Sequence, residues 1–136
     1  MIYIFSAFYA EAKNIIDHYG LKKEKSPKTV RFDVFANDSI RLVITGVGEI
    51  NAAAAVSNIG GAYGISPDDE ILNVGCGAGF SSDICLGSIF LGNKLTEQMT
   101  GRTFYPDMLM KTGYRECEII TAVRVLNEGS DSVVYD

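Results

Sequence analysis

Three short apolar runs, each stopping at a turn of small residues, constrain the fold of this chain most strongly. Residues 2–7 (IYIFSA), 40–45 (IRLVIT) and 70–74 (EILNV) are rich in strand-forming side chains. The first is suited to a strand buried on both faces. Helical patterns separate them. Ala12, Ile15, Ile16 and Tyr19 recur at i, i+3, i+4 and i+7, the stripe of an amphipathic helix, and Gly20 stands at its capping position. After Gly46-Val47-Gly48 comes INAAAAVSNIGGAYG at 50–64, an alanine-rich helix small enough to pack closely on a sheet. Strands alternating with helices in this order predict an α/β fold.

The remaining segments extend that pattern. Leu21 to Lys28 (LKKEKSPK) is polar, contains Pro27 and reads as a solvated connection. Val30 to Ala36 and Ile40 to Thr45 read as two strands joined by the turn Asn37-Asp38-Ser39. Ile89 to Leu95 and Ile119 to Val125 are further strands with a polar, aromatic loop between them, and Val133 to Tyr135 begins one more. There is no internal repeat. The expectation is one α/β domain over residues 1–136, with a mixed central sheet flanked by helices.

Composition narrows the function classes. With 47% hydrophobic and 21% charged residues over 136 positions, the chain is globular rather than disordered. Twelve basic residues against 17 acidic ones give a net charge of −5, which argues against a general nucleic-acid binder. No apolar run approaches the roughly 20 residues that span a bilayer, so no membrane partner is expected. MIYIFSA lacks a basic leader and runs straight into a helix, as a first strand does and a signal peptide does not. Cys76, Cys85 and Cys117 form no C-x-x-C pair and leave one thiol over in any disulfide scheme, which fits a reducing cytoplasm.

Chemistry in an open α/β sheet gathers beyond the carboxyl ends of its strands. Three of those ends are distinctive here: Ala7-Phe8-Tyr9-Ala10-Glu11, Thr45-Gly46-Val47-Gly48 and Gly75-Cys76-Gly77-Ala78-Gly79. Glu11 falls in a first helical turn, where the helix dipole favours an anion. It could serve as a general base for water, or simply as ordinary helix electrostatics. Gly75, Gly77 and Gly79 fail the dinucleotide fingerprint, because position 80 is Phe and a strand follows rather than a helix. Gly46 and Gly48 do precede a helix, so their loop suits either an anion or sugar, or a tight turn for close packing. Cys76 could be a nucleophile, but no histidine is placed to activate it, and a small buried thiol is the plainer reading. His18, the single histidine, sits off the apolar stripe and reads as a surface residue. Phe104, Tyr105 and Tyr114 read as core or as the wall of a pocket where a flat base could stack. No Cys/His/Asp/Glu cluster has metal-ligand spacing.

Taken together and in order, these segments resemble the nucleoside phosphorylase and nucleosidase superfamily, closest to its methylthioadenosine/adenosylhomocysteine nucleosidase branch. FSAFYAEAK at 5–13 is similar to that branch's strand, small-residue turn and acid-rich helix start. TGVGEINAAAA at 45–55 follows its Ser/Thr-Gly-x-Gly-x-x-x-Ala segment, and NVGCGAG at 73–79 with LGSIFLGNKL at 86–95 follows its third signature. The resemblance implies that Glu11 activates the attacking water and that Phe8 lies near the ribose. It puts Gly46 and Gly48 at the floor of the sugar or phosphate subsite, with Gly77 in the third loop. Cys76 stands where the family has a small hydroxyl-bearing residue, and Val123 and Arg124 fall in the purine-binding segment.

The implied reaction is cleavage of a purine nucleoside's N-glycosidic bond, with no cofactor. Phosphorylases instead hold phosphate as co-substrate with glycines and arginines in the first loop, where this chain has Ser6-Ala7-Phe8-Tyr9. Hydrolysis is therefore favoured over phosphorolysis. The sequence ends at Val133-Val134-Tyr135-Asp136, where the family continues into a Met-Glu pair that binds the ribose diol. The expectation is a C-terminally incomplete domain with the base side of the site, a poor catalyst alone and a homodimer through its uncovered apolar surface. A non-catalytic nucleoside-binding remnant is the alternative from a different class.

Overall fold

The structure, a computed structural model, describes residues 1–108, 111–122 and 133–135, the last three through their backbone alone. It divides into two compact units, Met1–Gly75 and Cys76–Asp136, each with its own sheet. The α/β class and the mixed strand directions are as expected.

In the first unit, β1 (Ile2–Ser6) lies between β4 (Ile40–Ile44) and β5 (Glu70–Asn73), parallel to both. The sheet is completed by β3 (Asp33–Ala36), antiparallel to β4, and β2 (Lys22–Lys23) at the edge, giving the order β2-β3-β4-β1-β5. Because side chains alternate along a strand, β1 feeds two cores. Tyr3 and Phe5 join Val34, Val43 and the buried Ala55 and Ile59 of α2 (Glu49–Tyr63). Ile4 joins Ile40 and Leu42 against Ala12 and Ile16 of α1 (Tyr9–His18). One helix thus covers each face, and Leu42 and Val43 are fully buried between them.

The expected turn at Asn37 is present, built by its side-chain Oδ1, which accepts from Ser39 N–H at 2.9 Å and Ile40 N–H at 2.8 Å. Two expectations in this unit need correction. The strand expected from Val30 starts only at Asp33, because Val30 N–H turns back to Pro27 O and Arg31 N–H is taken by Asn58 Oδ1 of α2. The polar segment 21–28 is not simply solvated. Leu21 is buried in the α1 core, Lys22 and Lys23 pair with β3, and Glu24 accepts from Arg41 Nε at 3.1 Å and from the Tyr63 hydroxyl at 3.2 Å. Glu24 and Arg41 are partly buried there because each finds a partner in the other.

In the second unit, the order is β6-β10-β9-β7-β8, with β6 at Ala78–Gly79, β7 at Phe90–Glu97, β8 at Thr103–Phe104, β9 at Arg115–Thr121 and β10 at Val133–Tyr135. β7, β9 and β10 run parallel, and β6 and β8 are antiparallel edges. β9 starts four residues earlier than its apolar pattern suggests, since Arg115 already pairs with Phe90. The polar loop expected after β7 turns back at once into β8.

Candidate functional site

The site is built where β1, β4 and β5 of the first unit end. β1 closes with Ser6, a hydroxyl buried completely at the end of an apolar strand. Phe8 then sits in extended backbone as the residue before α1, and one turn later Glu11 folds back toward it. Glu11 Oε2 accepts from Phe8 N–H at 3.2 Å and from Ser6 Oγ at 3.3 Å. The first contact is half of a capping box, with an acid at the third helical position satisfying the cap's amide. Phe8 has no side-chain acceptor to complete it, and its ring is instead left 53% exposed.

The second loop is tied to the first through the backbone. Thr45 N–H donates to Ser6 O at 2.9 Å and Gly46 N–H to Ala7 O at 3.2 Å. Gly46 and Gly48 have φ of +79° and +94°, the left-handed region that side chains avoid, so both are required for the turn that starts α2. The third loop begins beside the acid: a Cβ added at Gly75 would lie 3.8 and 3.9 Å from the two carboxylate oxygens of Glu11. Glycine there keeps the space next to the carboxylate clear of side-chain atoms.

Four of the expected site residues, Glu11, Phe8, Gly46 and Gly48, are therefore brought to one end of one sheet. Cys76 and Gly77 belong to the second unit. Cys76 is exposed there, not the buried thiol expected, because it opens the coil between β5 and β6 rather than a strand. Cys117 is the buried thiol, its pKa pushed up by that burial, with Arg115 opposing the shift. Val123 and Arg124 lie outside the described residues. Phe104, Tyr105 and Tyr114 are all at least half exposed, and none is core. Two contributors, Ser6 and Gly75, were not among the expected site residues. The one signal for Ser6 is a hydroxyl closing an otherwise apolar run, five positions before the acid.

Segments 5–11, 45–51 and 73–75 contain no Lys, Arg or His, so their backbone N–H groups and the Ser6, Tyr9, Thr45, Asn51 and Asn73 side chains are the uncharged donors they carry. No group of three His, Cys, Asp or Glu side chains among the described residues could hold a metal ion. No helix among them is long and apolar enough to cross a membrane. An open groove along α2, lined by Thr29, Ala54, Ser57, Asn58, Gly61 and Ala62, shares no residue with the Glu11 cluster.

No family model matches the sequence, and no curated protein matches it either. Solved structures do. The 5′-methylthioadenosine/S-adenosylhomocysteine nucleosidase of Neisseria meningitidis, in complex with methylthio-immucillin-A, is similar with a TM-score of 0.70 at 14% identity. That match covers 88% of this chain and 63% of the other, so the chain spans less than two-thirds of that enzyme's length. A futalosine hydrolase mutant of Helicobacter pylori has a TM-score of 0.72 at 12% identity, covering 93% of this chain and 70% of that one. The S-adenosylhomocysteine nucleosidase of Streptococcus pyogenes, in complex with 5-methylthiotubericidin, has 0.69 at 17% identity, covering 89% and 62%. With strand ends and glycine turns arranged as described, this chain shares the fold of these solved nucleosidases and of the futalosine hydrolase.

Proposed function

We propose that this chain carries the water-activating side of a nucleosidase that hydrolyses the N-glycosidic bond of a purine nucleoside, with Glu11 as the general base. The observation that carries the reading is a carboxylate held by two donors at the convergence of three strand ends, with Gly75 leaving room beside it. In the reaction the bond from the anomeric carbon to the purine nitrogen breaks and positive charge develops on the ribose. Glu11 takes a proton from water as its oxygen bonds to that carbon, and the negative carboxylate stabilises the developing charge. The purine must leave protonated, so the reaction also needs a proton donor at the base.

The absence of Lys, Arg and His from the three loop segments favours water over phosphate as nucleophile. Phe8 and the Gly46–Gly48 turn would line the sugar. The reading needs no cofactor, takes a small-molecule nucleoside, and goes with a cytoplasmic homodimer. One observation favours a second reading, a nucleoside-binding remnant without chemistry: accepting the Phe8 amide is what a helix-capping glutamate does in any protein.

The test is to incubate the purified chain with methylthioadenosine, with and without phosphate, and to measure free adenine. Adenine released without phosphate, and reduced about 100-fold or more by Glu11→Gln, is the expected result. Release only with phosphate supports a phosphorylase, and binding without release under either condition supports the remnant.

A further inference from the structure

We propose that Ser6 is a positioning residue for Glu11, setting the rotamer in which its carboxylate meets water. This rests on the reading of Glu11 as the base. Ser6 is the last residue of β1, fully buried, and its backbone is fixed on both sides of the hydroxyl. Its carbonyl accepts from Thr45 N–H, and its neighbours Phe5 and Ala7 accept from Val74 N–H at 2.9 Å and Gly46 N–H at 3.2 Å. A hydroxyl mounted on so constrained a backbone is a fixed reference point. Glu11, by contrast, is a long side chain on an exposed helix start, with three torsions to settle.

The Ser6 hydroxyl and the Phe8 amide reach the same oxygen, Oε2, from two different elements. One donor leaves a carboxylate able to pivot about the bond it makes. Two donors at an angle to each other stop the pivot and set the plane of the group. The Phe8 contact alone would serve helix capping, so the Ser6 contact is the one capping does not call for. Its length, 3.3 Å, is at the long end of the range, as contacts in sites without ligand commonly are. Rotamer control of this kind acts on the reacting geometry rather than on substrate affinity, and its loss lowers kcat more than it raises KM.

The experiment uses the 136-residue chain with Ser6→Ala and Ser6→Cys, both close in volume to serine, and reads two quantities. The first is the set of three-bond couplings of the Glu11 side chain by NMR. They report one dominant rotamer in the parent chain, average out in Ser6→Ala, and fall between in Ser6→Cys, whose thiol is a weak donor. The second is adenine release, where Ser6→Ala lowers kcat about tenfold with KM within about twofold. Couplings unchanged by Ser6→Ala overturn the proposal, as does an equal loss in the couplings of Ile4 and Ile16, which marks general loosening. A coupling change in Ser6→Ala with no adenine released by the parent chain refutes the hydrolytic reading and leaves Ser6 only as the residue that sets the Glu11 rotamer.

Discussion

The two units differ in how their sheets are covered. In Met1–Gly75, α1 and α2 pack on opposite faces, and Tyr3, Ile4, Phe5, Leu42 and Val43 are buried. In Cys76–Asp136, Cys117 is the sole buried residue among the described ones, and every residue of β7 is only half-buried. Leu86, Met99 and Tyr105 are more than 70% exposed. Backbone ladders form equally well in both, so strand pairing does not by itself make a core. The second unit instead carries cross-strand polar pairs, such as Lys94 with Glu118 at 2.9 Å and Asn93 with Glu116 at 2.9 Å.

The largest test of that contrast is a matched pair of truncations. Leu42→Ala opens a cavity between α1 and the sheet and should cost about 2–5 kcal/mol in urea denaturation. Leu95→Ala on β7, already half in water, should cost less than half as much. Equal losses would mean that the second sheet is covered after all.

A smaller effect is expected at the polar junction of the first unit. Arg41 reaches Glu24 with two nitrogens at 3.1 and 3.4 Å, and its guanidinium stacks 3.8 Å from the Tyr63 ring centre. Arg41→Met keeps the stem but strands Glu24 in a partly buried setting, at a cost of about 1–3 kcal/mol. Recovery in the double variant Arg41→Met/Glu24→Gln separates the stranded charge from lost packing. No recovery would assign the loss to packing.

The smallest effect concerns pH and belongs to the second unit. The Thr96 hydroxyl first, then the Lys94 ammonium, hold the Glu118 carboxyl below the usual carboxylate range. A carboxyl whose folded-state value is depressed adds stability above its unfolded value, and that stability is lost as pH falls through the folded value. Acid denaturation followed from pH 6 downward should therefore flatten slightly in Glu118→Gln, and an unchanged curve would show solvent screening to be complete.

Much of the first unit was legible because each of its signals is local. The i, i+3, i+4 stripe, the Asn37 turn and the glycine turn before α2 each act within a few residues. The ordered strand ends marked out Glu11, Phe8, Gly46 and Gly48 for the same reason. The misjudged places depend on distant partners. Val30 to Phe32 have strand-forming side chains, yet Asn58, 27 residues away, takes the Arg31 amide. Lys22 to Glu24 look like a loop until β3 and Arg41 are beside them.

The sequence by itself determined the α/β class, the order of the first unit's elements and the acid at the first helix start, because period and turn chemistry are written in neighbouring residues. Only the tertiary structure decided which donors meet that acid. The Ser6 hydroxyl reaches Glu11 because β1 is clamped between β4 and β5, which fixes where the strand ends and the helix begins. A hydrogen bond needs two groups within about 3 Å. Residue spacing alone does not specify that distance; packing does.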